Sequence, residues 1–213
     1  YRITYDAAPR AALPHSLAPL LRIGARLGLS GVDGADIATA GEEHQEFVES
    51  NFVPEVPAER NPAKQLAEAL FGRIPLVLGA EHLTSVASRF KNQVAENGKS
   101  LGAADHLPEA DHNLIVGLDS GREAAHSLSL VTLESRSMYD RRVQKRFDVT
   151  TELFREEGIP VHRCEVGGEN LLSQILQATA WGDYTSCYLA LLRGVDPMPV
   201  PQIVRLKAAL AGG

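Results

Sequence analysis

Cysteine is scarce here, with two in 213 residues, Cys164 and Cys187, which stand far apart. They form no CxxC pair and no zinc-ligand spacing, so a disulfide scaffold is excluded and a reduced, cytoplasmic protein is expected. Aromatic residues are also few, 6% of the chain, and they do not interleave with a basic patch. A surplus of positive charge is missing too: the formal net charge is −6 and the pI about 5.7. Nucleic acid and anionic membrane surfaces are therefore excluded as the main partners. No window approaches the ~20 apolar residues of a membrane-crossing helix, and no signal-peptide pattern opens the chain. The seven histidines show no spacing of the HExxH kind, so no metal is expected. Repeats and low-complexity tracts are absent. The first residue is Tyr1, and the expectation is that a segment has been removed or that the chain starts inside a longer protein.

What remains is ordinary globular material, 44% hydrophobic and 23% charged, long enough to bury a core. Residues 2–6 read as a short extended piece. Residues 13–29 have helical spacing, but Pro14 and Pro19 place the regular start near Pro19. A second helix is expected over 37–50, and a connector with Pro54 and Pro57 over 51–60. Asn61 should cap a helix running to Leu70, with Pro62 at its first position. The run 74–78 (IPLVL), closed by Gly79 and flanked by helices, predicts a buried parallel strand. Further strands are expected at 114–118 (LIVGL), 128–133 and 159–165. Helices are expected over 83–96, 136–158, 169–179, 184–192 and 202–210, with a turn at Asp119-Ser120-Gly121. Strands alternating with helices at this spacing predict an α/β fold, a doubly wound and mainly parallel sheet, with extra helices over residues 1–60.

The chemistry concentrates in residues 89–113, RFKNQVAENGKSLGAADHLPEADHN. Glu96, Glu109, His106, His112, Lys91 and Lys99 all fall there, just downstream of the first strand. Acids and bases are useful where a rigid scaffold aims them. On residue type alone Glu96 reads as a solvated helix-terminal glutamate and Lys207 as one cation among several. The neighbours of Lys207 (Ile203, Val204, Leu206 and Leu210) are apolar, which would draw it partly inward. Thr84 and Ser85 could cap a helix or offer hydroxyls to a phosphate. The charged run 138–157 reads as a solvated helix face.

Several short patterns occur together and in order: Asn61-Pro62-Ala63-Lys64, the strand from Ile74-Pro75 to Gly79, Glu96-Asn97-Gly98-Lys99, Leu107-Pro108-Glu109 with His112-Asn113, Gly182-Asp183-Tyr184, Gly194-Val195-Asp196-Pro197 and Leu206-Lys207. The ordered set resembles the bifunctional phosphoglucose/phosphomannose isomerases of the sugar isomerase (SIS) superfamily, over about two thirds of the chain. It matches their second SIS subdomain. The resemblance implies an SIS-type, flavodoxin-like sheet and interconversion of glucose 6-phosphate or mannose 6-phosphate with fructose 6-phosphate through a cis-enediol. It gives Glu96 the part of the base, and His112 and Lys207 that of ring opening, with no cofactor. Glu109 is the competing carboxylate. In related isomerase dimers the histidine crosses the subunit interface, so a homodimer is implied. The SGxSGxT phosphate loop of the family's first half has no match here, nor has its active-site arginine. The first SIS subdomain is therefore expected to be absent, the substrate-binding residues stay unknown, and a non-catalytic sugar-phosphate-binding or dimerisation module remains the alternative.

Overall fold

The computed structural model describes residue 5 and residues 8–212. A four-stranded parallel sheet lies at the centre, made of β1 (Ile74–Ala80), β2 (Ala103–Leu107), β3 (Leu128–Ser135) and β4 (Val161–Val166), in the order β2-β1-β3-β4. Three helices precede it: α1 (Leu13–Arg26), α2 (Gly34–Asn51) and α3 (Pro62–Leu70). The chain passes from β1 to β2 through α4 (Thr84–Glu96), and from β3 to β4 through α6 (Arg141–Glu156). Between β2 and β3 lie two 3-10 turns and the short α5 (Gly121–Ala124), and α7 (Leu171–Leu192) and α8 (Pro201–Ala211) follow β4. The extended opening expected over residues 2–6 falls outside the described residues apart from Tyr5.

The winding reverses between β1 and β3, and right-handed crossovers then put α4 and α6 on opposite faces. Side chains agree. A Cβ on Gly79 would stand 3.1 Å from the Ala87 methyl of α4, so odd-numbered positions of β1 face α4. Leu78, on the face away from α4, pairs in register with Thr132, and the buried Glu134, two residues on from Thr132, shares that face. Its carboxylate accepts from Arg163 Nε at 2.8 Å, and Arg163 in turn holds Asp148 of α6 at 2.6 Å. A carboxylate with about 2% of its residue surface exposed needs such a partner. The α4 face is closed by α7, which also carries α2 and α3.

Three expectations need correction. The strand expected at 114–118 is a 3-10 helix (Leu114–Ser120) that runs straight into α5 where a turn was expected at Asp119-Ser120-Gly121, and the missing strand is β2. LIVGL is apolar because Leu114, Ile115 and Leu118 pack on the core from outside. β2 reads AADHL, with few apolar positions, because it sits at the sheet edge. Secondly, α1 starts at Leu13 with Pro14 in its first turn, and Pro19 lies inside it. The donor missing at Pro19 would have served the His15 carbonyl, and a helix with no buried residue leaves that carbonyl accessible to solvent. Thirdly, α7 runs unbroken through Trp181-Gly182. The Asn61 cap forms as expected: its Oδ1 accepts from the Lys64 amide at 3.0 Å.

Candidate active site

The polar stretch 89–113 is built from four pieces, the second half of α4, a tight turn, β2 and the 3-10 turn Glu109–Asp111 that follows it. α4 buries Val86, Ala87, Phe90, Gln93 and Val94, which leaves its last residue, Glu96, at the rim. Gly98 then lets the chain pass close to α7, since a Cβ there would stand 3.1 Å from Leu189 and 2.8 Å from the Val94 carbonyl oxygen. Lys99 adopts φ +52°, the left-handed region that ordinary residues rarely take.

The partner of Glu96 is Arg10, which precedes α1. Arg10 Nη1 lies 3.5 Å from Glu96 Oε2; the arginine side chain is 9% exposed and the glutamate 39%. Its guanidinium is fully committed in direction. Nε donates to Asn97 Oδ1 at 2.7 Å, and Nη2 donates to the carbonyl oxygens of Pro197 at 2.9 Å and Met198 at 2.7 Å. Asn97 is buried and donates to Ser186 Oγ of α7 at 3.0 Å. Behind Arg10, Arg89 donates to the Arg10 carbonyl oxygen and to both oxygens of Asp183, each at 2.9 Å. Gln93 Nε2 donates to Asp183 as well. Burial pushes the Asp183 carboxyl above the usual carboxylate range, opposed by the Arg89 guanidinium. The Lys99 ammonium lies against the same segment, donating to the carbonyl oxygens of Glu96, Pro197 and Pro199. Burial and the neighbouring Arg10 hold its pKa below the ordinary lysine value, against the pull of Asp196 and Glu96.

The residues expected at the site do not all meet. Glu96 is at the amino end of the sheet, because α4 runs back from the end of β1 to the start of β2. His112 lies beyond the carboxyl end of β2 and is exposed. Its neighbour Asp111 accepts from Arg146 and Thr150 of α6 at 2.9 and 2.7 Å, on the opposite face. The length of α4, roughly 20 Å at 1.5 Å per residue, thus stands between the two ends. Glu109 is exposed and accepts from Asn113 Nδ2 at 3.1 Å. Lys207 is on α8, where no residue is buried, so the inward draw expected of it is absent within the described residues. α8 is nevertheless rooted beside Glu96, through the carbonyls that Arg10 and Lys99 hold. Neither Thr84 nor Ser85 caps α4; its N-cap is Leu83, without a side-chain cap. No metal-holding group of three His, Cys, Asp or Glu occurs among the described residues. No helix there is long and apolar enough to cross a membrane.

Arg10 was not readable in advance, since it lies 87 positions from Asn97 in an alanine- and proline-rich stretch. Asp183 and Lys99 stand in the Gly182-Asp183-Tyr184 and Glu96-Asn97-Gly98-Lys99 patterns, but residue type and spacing there do not mark these contacts.

A partly open carboxylate beside a largely buried guanidinium can move a proton at carbon while the cation stabilises the oxyanion that forms. The bifunctional phosphoglucose/phosphomannose isomerase of Caldicellulosiruptor bescii is 34% identical over 210 residues, spanning 95% of this chain and 60% of that protein. That of Aquifex aeolicus is 28% identical over 210 residues, spanning 99% and 61%. This chain therefore spans about 60% of the length of these curated relatives. The crystal structure of a glucose-6-phosphate isomerase like protein from Thermus thermophilus superposes with a TM-score of 0.66 at 27% identity, over 77% of this chain and 54% of that one. A glucosamine-6-phosphate deaminase from Thermotoga maritima shares the fold at a TM-score of 0.62 and 16% identity, over 93% of this chain and 56% of that one. Residues 59–210 match the family model described as the bacterial phospho-glucose isomerase C-terminal SIS domain, and the chain belongs to that family.

Proposed function

We propose that this chain is a single C-terminal SIS domain and the base-bearing part of an isomerase that converts glucose 6-phosphate and mannose 6-phosphate into fructose 6-phosphate. The observation that carries this is the Glu96–Arg10 pair, 3.5 Å apart at the end of α4. In the forward direction the Glu96 carboxylate takes the C2 proton of the opened aldose and returns it to C1, while the C2 hydroxyl proton passes to the C1 oxygen, so that C1 ends as the alcohol and C2 as the ketone. Arg10 stabilises the negative oxygen of the enediolate between the two transfers. His112 and Lys207 serve ring opening, one giving a proton to the ring oxygen and the other taking the proton from the C1 hydroxyl. The sugar phosphate is held by the part of the relatives' length that this chain does not span.

His112 and Glu96 lie at opposite ends of the sheet, which supports a homodimer in which each site takes the histidine from the partner subunit. Two free cysteines suit a reducing cytoplasm, and the substrates suit carbohydrate metabolism at the level of glycolysis and gluconeogenesis.

A coupled assay for fructose 6-phosphate, run on the full-length protein and on its Glu96→Gln variant, tests the reading. The variant keeps the side chain's size and its place at the rim but loses the base, and kcat should fall by about 10²–10⁴. Activity retained in Glu96→Gln removes that residue from the chemistry. The exposure of His112 and Lys207 favours a second reading, a non-catalytic sugar-phosphate-binding or dimerisation module, which predicts no turnover in the parent.

A further inference from the structure

The geometry points to Lys99 as a positioning residue: its ammonium, spread over three backbone carbonyls, holds residues 197–199 against the end of α4 and so sets where α8 carries Lys207. This rests on the isomerase reading for its functional consequence, but the clamp itself stands on distances.

An ammonium has three donors, and all three are used. Lys99 Nζ lies 2.5 Å from the Glu96 carbonyl oxygen, 3.1 Å from that of Pro197 and 2.6 Å from that of Pro199. Arg10 takes the intervening carbonyl of Met198 at 2.7 Å and shares that of Pro197 at 2.9 Å. Three successive carbonyl oxygens are thus pinned by two cations. Asp196 tightens the turn by accepting from the Met198 amide at 2.8 Å. Pro201 opens α8 two residues after Pro199, so little free chain separates the clamp from the helix. None of the α8 residues is buried, so among the described residues the root fixes the helix's direction. Lys207 is six residues into α8, about 9 Å along its axis.

The same ammonium reaches the carbonyl of Glu96 itself, which ties the end of α4 and the start of α8 to one atom. Because its protons are all engaged by carbonyls, Lys99 acts through Lys207 rather than on substrate. Its left-handed backbone, φ +52°, is strained for a lysine. A glycine would suit that turn better, yet it would leave the three carbonyls without their donor.

The test uses the full-length protein with spin labels at Asn92→Cys on α4 and Ala208→Cys on α8, in a Cys187→Ser background. Both labelled positions are exposed. The label-to-label distance should be narrowly distributed in the parent, and broadened or shifted in both Lys99→Met and Lys99→Gly. The glycine variant relieves the backbone, so a change shared by both variants belongs to the lost ammonium. An unchanged distribution overturns the clamp, whatever the activity. In the isomerase assay Lys99→Met should lower kcat about 10-fold or more, with KM little moved. Adding it to Lys207→Met should cost less than about 3-fold further, since the two act on one step. Fully additive losses overturn the link to Lys207. Absence of turnover in the parent overturns the isomerase reading instead, and the distance measurement then decides the clamp alone.

Discussion

Arg10 and Glu96 show how much of the site exists only after folding. The glutamate stands in a four-residue pattern that can be recognised, ENGK. The arginine that faces it has only alanine and proline around it, and nothing local marks it. The same holds for two half-buried histidines, His44 on α2 and His162 on β4. Burial lowers the pKa of each ring; a backbone hydrogen bond at Leu176 partly offsets this for His44, while the Arg73 charge adds to it for His162. In the unfolded chain both return to about 6.5. Folded pKa values below the unfolded one mean that these residues support stability at pH above about 6.5, and that this support is lost as pH falls below it. Urea unfolding should therefore show a lower midpoint near pH 5.5 than near pH 7.5. His162→Gln should flatten part of that difference. A midpoint that is level or rises on acidification removes burial of these rings as a cause.

At the scale of elements, most helices and three of the four strands were legible, because apolar spacing and caps such as Asn61 are local signals. β2 was hidden since an edge strand needs few apolar residues, and residues 114–118 misled because a 3-10 turn can bury one side as a strand does. Gly182 misled differently. A glycine after a tryptophan suggests a break, but here it lies inside α7 where that helix crosses α4. A Cβ at Gly182 would meet Phe90 Cγ at 3.0 Å and Phe90 Cα at 3.1 Å. Helix propensity favours replacing glycine by about 1 kcal/mol, whereas overpacking a fixed crossing costs about 1–3 kcal/mol. Steric cost should win for a large side chain, so Gly182→Leu is expected to destabilise the protein. Gly41 supplies the contrast, because it is exposed on α2 with nothing within 4 Å of its Cβ position. Gly41→Ala should then raise stability by about 0.5–1 kcal/mol. Urea unfolding of both variants checks the pair, and shifts of the same sign would refute the packing account of Gly182.

For the molecule as a whole, the alternation of strands and helices made the doubly wound sheet legible, but not which end of it each side chain would reach. That depends on the direction in which α4 crosses, and it separates two residues only 16 apart in sequence. Glu96 is left at the amino end on one face and His112 beyond the carboxyl end near the other. If the proposed homodimer forms each site from Glu96 of one subunit and His112 of its partner, two inactive variants should repair each other. In a heterodimer of Glu96→Gln with His112→Gln, one site inherits both substitutions and the other inherits neither. Random re-association makes half the dimers mixed, each with one intact site of two, so the mixture should recover about a quarter of the parental activity. The variants must first be dissociated and refolded together, and each alone should stay at its own low rate. Recovery near that level would require the histidine to cross between subunits. A mixture no more active than its components, with mixed dimers shown to be present, would put both residues to work within one chain and would demand a rearrangement of β2 and its following turn that this fold does not display.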